Sequence, residues 1–453
     1  MTTSDYLLPD APYATLGEYR SSGGGEGLAR AIEIGPEATI TEITDARLRG
    51  RGGGGFPTGI KWRGVADSDD AQRRFLVCNA AEGEPGTFKD RALIRSNPYQ
   101  VLEGIAIAAF AIGAEEAHVG IKEGYDREID RLEGAAAEMA DAGLLGEVPI
   151  RVTTGPDDYL LGEEKGMLEA IEGRQPLPRW YPPYVVGLYT DMVAGAGAGS
   201  SGWGTQANPT AVNNVETLAN VAPILARGAD WYRSLGTEDS PGSMLFTVSG
   251  DVQRETVVEL PMGTPLAVLV HGIGGLADGR SVRAVFPGAS NAPVPDTLLD
   301  TPMDFASMRD IGSGLGSGGM IVYDDTACVI AAAALLSRFL AVESCGQCPP
   351  CKLGTGALAD RFLALDQGEA EAFTLEEMNA WMGRVTDANR CGLGAGERAL
   401  ASGVFRFFAD DVVAHLESSC ASDRELILPK MTDWLPEEDR FTYDEGYFGW
   451  RRP

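Results

Sequence analysis

A chain of 453 residues exceeds what one hydrophobic core usually supports, so about two to four domains are expected. With 44% hydrophobic and 23% charged residues the composition is ordinary for a globular protein and excludes extensive disorder. The 37 Lys+Arg against 66 Asp+Glu leave a net charge of −29, which repels phosphate backbones and anionic headgroups and argues against nucleic acid and membrane lipid as partners.

The longest apolar stretches, residues 104–114 and 327–336, fall short of the roughly 18–20 residues needed to span a bilayer. The N-terminus lacks a basic segment followed by an apolar one. A cytoplasmic location is therefore expected, peripheral to a membrane only through a complex. In that reducing setting the seven cysteines read as metal ligands or reactive groups rather than disulfides.

In chain order, residues 1–40 are mixed, and Ser-Ser-Gly-Gly-Gly at 21–25 reads as a flexible lead-in. Residues 75–79 form a short apolar strand candidate. Asn97-Pro98 sets an N-cap and first turn for a helix ending near Gly113. Residues 118–121 and 150–153 read as further strands, with helical spacing over 125–142 between them. This βαβ order implies a largely parallel sheet with helices on its faces. The Gly-, Ala- and Ser-rich residues 190–207 read as an inserted segment. Residues 244–250, 256–260 and 282–286 look like strands flanking a helix at 265–270, a small α+β unit. Helical runs follow at 329–340, 374–385 and 399–416. The last thirty residues hold Trp434, Phe441, Tyr443, Tyr447, Phe448 and Trp450, which suggest a tail laid over another surface.

Four cysteines carry the sharpest signal. Cys345, Cys348 and Cys351 follow one another at two-residue spacing, and Cys391 lies in the next helical hairpin. Such spacing lets successive thiolates wrap one face of a 4Fe-4S cubane while a distant fourth closes it. Zinc also accepts four thiolates, though more often as two Cys-x2-Cys knuckles. With only three histidines in the chain, a histidine-rich metal site is excluded. Cys78, Cys328 and Cys420 are isolated and read as small buried hydrophobes.

Two loops carry the second signal. Residues 48–59 are rich in glycine (Gly50, Gly52, Gly53, Gly54, Gly55), so backbone N–H groups can approach an anion while Arg51 and Lys61 supply charge. The G-x-G-x-x-G pattern inside this loop follows a helical stretch and so is not a Rossmann fingerprint. A second one, at Gly314, Gly316 and Gly319, reads as a turn. The loop after residues 75–79 presents Asn79, Glu82 and Glu84 at a strand's C-terminal end, where open α/β sheets bind ligands. Asn79 can bond a flavin edge or a ribityl hydroxyl, and the two carboxylates can accept from hydroxyls or a carboxamide. A solvated acidic turn is the plainer alternative.

Together these segments resemble the NADH-binding FMN/4Fe-4S flavoprotein subunit of respiratory complex I, a family shared with diaphorase subunits of NAD-linked hydrogenases and formate dehydrogenases. The resemblance rests on residues 48–62, 76–91, 159–173, 208–219, 228–250 and 343–356. It implies an α/β fold with a Rossmann-like FMN-binding domain, a small ubiquitin-like α+β domain and a C-terminal helical bundle holding a 4Fe-4S cluster. The corresponding boundaries are 1–40 for the lead-in, 41–235 for the FMN/NADH domain, 240–310 for the ubiquitin-like domain, 325–425 for the helical domain and 426–453 for the tail.

By the same resemblance Gly50, Arg51, Gly52, Gly53 and Lys61 would hold the FMN phosphate and ribityl region, and Asn79, Glu82, Val212, Asn213, Asn214 and Thr217 the rest of the site. Phe56 and Glu84 would sit beside NADH, with Tyr159, Gly162, Glu163 and Glu164 lining the cleft and Tyr184 placing a ring on the adenine. Cys345, Cys348, Cys351 and Cys391 match the cluster ligands. Ala81 stands where the family usually has Asp, Gly64 where it has an aromatic residue and Lys165 where it has Thr. The function implied is NADH dehydrogenase: hydride passes from NADH to FMN, and single electrons leave through the cluster to a thioredoxin-fold 2Fe-2S subunit and further electron-transfer subunits. The alternatives are a diaphorase subunit of a soluble formate dehydrogenase or hydrogenase, with the same chemistry, and an electron-transfer scaffold without nucleotide binding.

Overall fold

A computed structural model describes residues 6–68, 73–146, 148–190, 208–370, 374–417, 422 and 424–450. The inserted segment expected at 190–207 lies, from residue 191 onward, outside the described residues, as does Cys420. The chain forms two compact units. The first comprises Met1–Glu82, Asp90–Met244 and Glu259–Met262, the second Gly83–Lys89, Leu245–Val258 and Gly263–Pro453.

The first unit is built on a four-stranded parallel sheet of β1 (Phe75–Ala80), β2 (Glu116–Lys122), β3 (Ile150–Gly155) and β4 (Thr210–Asn214), in the order β3-β2-β1-β4. The strands run from β1 outward to β3, and β4 then joins on the far side of β1. That reversal opens a crevice at the carboxyl ends of β1 and β4, where α/β sheets bind ligands. In the parallel register Cys78 pairs with Asn213 and Asn79 with Asn214. Hence two amides emerge side by side at the mouth of the crevice.

The helix Pro98–Ile112 crosses this unit and is buried almost all round, as its apolar composition requires. Asn97 caps its start by accepting from the Gln100 N–H at 3.3 Å, and Gly113 ends it in the left-handed region. From residue 6 onward the lead-in expected at residues 1–40 is instead folded. Helices Leu16–Ser21, Glu26–Ile34 and Pro36–Asp45 cover the sheet's helical layer. Their anchor is the buried Glu103, whose carboxylate accepts from Tyr19 Oη at 2.6 Å, Gly25 N–H at 2.7 Å and Leu28 N–H at 2.9 Å. One of its three donors, Gly25, comes from the stretch that reads as flexible in sequence and the other two flank it, so a tertiary partner overrides the local glycine signal.

The second unit contains a mixed sheet of β5 (Ser243–Gly250), β6 (Thr256–Pro261), β7 (Val282–Pro287), β8 (Val294–Pro295) and β9 (Gly319–Asp324), in the order β6-β5-β9-β7-β8. The central pair β5 and β9 is parallel, while β7 runs antiparallel to β9 and β8. The sheet therefore runs past the expected limit at residue 310, because its middle strand comes from residues 319–324. The helix expected at 265–270 is a π-helical segment, Val268–Gly274. The glycine pattern at Gly314, Gly316 and Gly319 is a turn leading into β9, with Gly316 and Gly318 at positive φ.

Helices Val329–Glu343, Pro349–Gln367, Thr374–Met382, Leu393–Phe407 and Ala409–Glu417 follow. The nineteen-residue helix Pro349–Gln367 has no counterpart among the expected runs. Its Pro349-Pro350 start reads as a breaker, yet proline at the first helical turn loses no intrahelical bond. The run expected at 399–416 is two helices, divided at Phe408 (φ −130°). The aromatic tail forms a hairpin of β10 (Met431–Leu435) and β11 (Arg440–Tyr443), and its rings pack on their own unit. Phe88 lies 5.5 Å from Phe441 and 6.4 Å from Trp434 between ring centroids, and Phe339 lies 5.7 Å from Tyr447. Phe441 and Tyr447 are buried, so the surface over which the tail is laid belongs to its own unit.

Gly104 reports how closely the layers approach. A Cβ there would fall 1.9 Å from the Leu218 carbonyl oxygen, whereas at Gly134, on the exposed face of helix Asp126–Asp141, it would meet nothing within 4 Å. Helix propensity favours alanine at both positions by about 0.5–1 kcal/mol, but overpacking costs about 1–3 kcal/mol. Gly104→Ala should lower, and Gly134→Ala should raise, the urea midpoint of unfolding. A Gly104→Ala variant as stable as the wild type would refute the close approach.

Candidate functional site

In the first unit the glycine-rich loop closes on itself before entering helix Thr58–Ala66. Gly50 N–H donates to the Phe56 carbonyl at 2.9 Å, Thr58 N–H to the Leu48 carbonyl at 2.8 Å and Arg49 Nε to the Gly55 carbonyl at 2.8 Å. Gly53 (φ 107°) and Gly55 (φ 58°) occupy conformations that favour glycine. Gly52 backs onto the crevice so tightly that a Cβ would lie 3.1 Å from Asn214 Cβ, while Gly54 faces open space. The loop is thus a shallow backbone cradle at the mouth between β1 and β4.

Lys61, on the helix that follows, extends its ammonium to the end of β4. Nζ donates to the Val212 carbonyl at 2.9 Å and pairs with Glu164 Oε2 at 3.2 Å. Arg51 does not act in this way. Its guanidinium turns inward, fully buried, and donates to Tyr232 Oη and the Pro241 carbonyl, each at 3.0 Å, while its backbone N–H donates to Thr217 Oγ1 at 2.8 Å. The reason is geometric: a planar fork with several donors finds a phenol and a carbonyl inside the fold and braces the loop from behind. Of the two cations in and after the loop, Lys61 is the one turned to the crevice.

The asparagines that the strands bring together are held by protein partners. Asn79 Nδ2 donates to the Gly162 carbonyl at 2.7 Å and its Oδ1 accepts from the Ala81 N–H at 3.2 Å. Asn213 Oδ1 accepts from Trp62 Nε1 at 2.9 Å, and Asn214 caps helix Val215–Ala219 while donating to Asp90 at 2.6 Å. Val212 offers the crevice its carbonyl only. Its side chain is core, packed with Phe75, Val77, Leu161 and Ala81, the residue that replaces the family's Asp.

Glu82 also departs from expectation. Its carboxylate accepts from the Asp90 and Arg91 N–H groups, both at 3.3 Å, and so caps the start of helix Lys89–Ser96 rather than facing a ligand. Glu84 belongs to the second unit, where its carboxylate accepts from the Ala289 N–H at 2.8 Å. It is not among the groups that the first unit gathers at the crevice.

The segment Tyr159–Gly162 forms a 3-10 turn against β1, with Tyr159 half-buried. Phe56 and Tyr184 are 52% and 57% exposed, as rings offered to a ligand would be. Ile60 is also exposed, and Gly64, one turn further on the same helix, faces open space. Arg179, which carries no sequence signal, fixes the strap bearing Tyr184 by donating to the Gly187 carbonyl at 2.8 Å and to Glu169 and Glu172 at 2.6 and 2.9 Å.

In the second unit, Cys348 caps helix Pro349–Gln367 and Cys351 lies in its first turn, while Gly346 (φ 80°) turns the chain between them and Cys345. Cys391 immediately precedes the Gly392 cap of helix Leu393–Phe407. The two thiol-bearing loops touch: Arg390 N–H donates to Cys348 Sγ at 3.3 Å, and its guanidinium donates to Gln347 Oε1 at 2.8 Å. Gln347 Nε2 donates to Cys345 Sγ at 3.7 Å, and Ser344 Oγ lies 3.4 Å from Cys351 Sγ. Donors aimed at sulfur stabilise thiolate ligands, which suits a cluster whose reduction adds negative charge. Among the described residues no group of three or more His, Cys, Asp or Glu side chains is placed to hold a single metal ion. Cys78 is wholly buried, as expected of an isolated thiol, and burial raises its pKa.

A cradle beside an ammonium at a sheet's switch point, and four thiols, three of them with polar groups at their sulfurs, fit a flavin- and iron–sulfur-carrying electron-transfer subunit. Comparison with known proteins gives the family. Residues 43–223 match the Nuo51 FMN-binding domain, and residues 331–415 match the NADH-ubiquinone oxidoreductase-F iron-sulfur binding region. The F 2 subunit of NADH-quinone oxidoreductase from Rhizobium meliloti (strain 1021) is 39% identical over 415 residues, covering 89% of this chain and 94% of that protein. The F subunit of the Streptomyces coelicolor NADH-quinone oxidoreductase is 36% identical, covering 89% of this chain and 88% of that protein. Among solved structures, an NAD+-reducing [NiFe]-hydrogenase in the H2-reduced state superposes with a TM-score of 0.77 at 34% identity, covering 90% of this chain and 67% of that chain. The chain belongs to the family of NADH-quinone oxidoreductase F subunits.

Glu163 supplies a pH-dependent element at the crevice. It caps helix Glu164–Ile171 by accepting from the Lys165 and Gly166 N–H groups, both at 2.9 Å, and burial pushes its pKa up to about 7 against the pull of Lys165. A raised carboxyl pKa contributes stability that is complete below the ordinary carboxylate range and is lost as pH rises through 7. Glu163→Gln keeps a neutral acceptor. It should therefore melt higher than the wild type at pH 8 and close to it at pH 5, a difference on the order of 3 kcal/mol at most. Parallel melting curves across that range would remove Glu163 as the titrating group.

Proposed function

We propose that this chain acts as the NADH-oxidising flavoprotein subunit of a multi-subunit NADH-quinone oxidoreductase. One observation carries the reading: the FMN-binding match encloses the crevice between β1 and β4, and the iron-sulfur match encloses the four thiols. FMN supplies the chemistry, taking a hydride as two electrons and releasing them one at a time.

The protein's part is binding and orientation. The backbone of Gly50, Gly52 and Gly53 cradles the phosphate end with Lys61 as its countercharge. Asn79, Asn213, Asn214 and Thr217 brace the crevice walls through the bonds described above. Phe56 and Tyr184 offer exposed rings for the nucleotide, and Tyr159, Gly162, Glu163 and Glu164 form the wall opposite the cradle. Cys345, Cys348, Cys351 and Cys391 ligate the 4Fe-4S cluster, with Arg390, Gln347 and Ser344 donating to their sulfurs. No general base is needed, because hydride transfer moves the hydrogen with its electrons.

A second reading rests on the likeness to the NAD+-reducing hydrogenase: the same chemistry in a diaphorase subunit. Under either reading the electrons must leave the chain, and a thioredoxin-fold subunit carrying a 2Fe-2S cluster is the proposed recipient. Among the described residues no helix is long and apolar enough to cross a membrane.

Anaerobically purified chain should contain FMN and about four iron and four acid-labile sulfides. NADH should bleach its flavin absorbance and drive reduction of ferricyanide. A chain with iron and sulfide but no flavin, inert to NADH, would leave only the scaffold reading. Glu164 faces Lys61 with its carboxylate partly exposed, and a carboxylate at a ribose accepts from a 2′-hydroxyl but repels a 2′-phosphate. Glu164→Gln should narrow the NADH-over-NADPH ratio of kcat/KM by about tenfold; an unchanged ratio would remove Glu164 from the nucleotide site.

A further inference from the structure

Helix Val329–Glu343 begins with a cysteine as its cap. Cys328 Sγ accepts from the Ala331 N–H at 3.4 Å and lies 3.3 Å from His415 Nε2. His415 sits on helix Ala409–Glu417 with its Nδ1 2.7 Å from the Asp411 carbonyl. A carbonyl only accepts, so Nδ1 carries the proton and the lone pair of the neutral ring is at Nε2, facing sulfur. The thiol proton therefore has a base in contact. Once it moves, the thiolate accepts from the imidazolium and from the N–H at the helix N-terminus, both of which stabilise negative sulfur.

Asp366, on the packed helix Pro349–Gln367, is held above its ordinary pKa by burial and lies within electrostatic reach of His415, while Asp411 is paired with Arg283 at 2.5 Å. On the sulfur side the charges are paired with one another: Arg424 donates to Asp251 at 2.8 Å, to Asp324 at 3.3 Å and to Thr326 Oγ1 at 3.0 Å. Access is provided as well. A cleft of about 670 Å³ is lined by Ala331, Leu335, Arg338, Leu363, Asp366 and Arg424. Ala331, whose N–H meets the sulfur, is on the cleft wall, so the cleft passes beside the pair, although neither Cys328 nor His415 lines it. Cys328 is half-buried and His415 is buried, as suits a nucleophile open to small solutes and a shielded base.

We propose that Cys328 and His415 form an activated thiol, a modification site at which hydrogen peroxide oxidises the sulfur to a sulfenic acid. The thiolate attacks one peroxide oxygen, and an S–O bond forms as the O–O bond breaks. The departing hydroxide takes the imidazolium proton and leaves as water, so sulfur loses the two electrons that the peroxide gains. Cys328 stands apart from the four cluster cysteines in sequence, and the site does not depend on the flavin reading.

The test uses the intact holoprotein and peptide-resolved mass spectrometry. Iodoacetamide alkylation of Cys328, followed from pH 5 to 9, should show a midpoint below 7, against about 8.5 for an unperturbed thiol. His415→Gln should raise that midpoint by at least one unit and slow alkylation at pH 6.5 about tenfold. One equivalent of hydrogen peroxide should yield a dimedone adduct at Cys328. A wild-type midpoint at or above 8.5 overturns the proposal whether or not the variant folds. So does an unchanged midpoint in a folded variant, or the absence of the adduct.

Discussion

The pairing of β1 with β4 is the constraint on which the first unit depends. Parallel strands joined on the far side of the starting strand leave their carboxyl ends facing a gap that no crossover helix fills. The register sets Asn79 beside Asn214, and each amide then fixes a different neighbour. Asn79 holds the turn at Gly162, and Asn214 caps a helix while reaching Asp90. A slip of one residue would send these amides to the other face of the sheet and put Val212 in the crevice.

The glycine-rich loop inherits its position from the same pairing. Gly52 rests on Asn214, Trp62 is tied to Asn213, and Lys61 ends on the Val212 carbonyl. Three consecutive residues of β4 thus locate the loop and the helix that follows it. Behind them Arg51 closes the loop on Tyr232 and Pro241 without presenting charge to the front. With one cation turned in and one turned out, the crevice presents less positive charge than the loop's composition implies. Its grip on an anion would come mainly from backbone amides and the Lys61 ammonium.

Some of this is legible in the sequence. Strands β1 and β2 and the helix Pro98–Ile112 announce themselves, because apolar runs bounded by an Asn-Pro start and a glycine stop need no tertiary context. The four cysteines are equally plain, since their spacing is itself the chemistry. Other features depend on long-range partners that no local pattern encodes. Glu103 recruits the N-terminal helices through donors more than seventy residues away, and Glu82 becomes a cap only once the chain bends to Asp90. Helix Pro349–Gln367 hides behind a double proline. The aromatic tail looks like an interface because ring-rich segments at a terminus cover apolar surface, and it does so here on its own unit.

The two sites use their polar groups differently, and the difference follows from the charge each must hold. At the thiols, donors from Arg390 and Gln347 point at sulfur and Ser344 Oγ lies beside a third, as suits proposed ligands that would themselves carry negative charge and gain more on reduction. At the crevice the side-chain amides are spent on protein groups, so the walls are rigid before any ligand enters. Rigidity of that kind favours a planar cofactor held in one orientation, since little side-chain entropy remains to be lost on binding. The exposed rings of Phe56 and Tyr184 are the exception, and a ligand that must arrive and leave in every cycle is better met by such surface rings than by a closed wall. Under the proposed function a retained group and an exchanging one would therefore fall on different parts of the same unit, separated by how completely each part satisfies itself without a ligand.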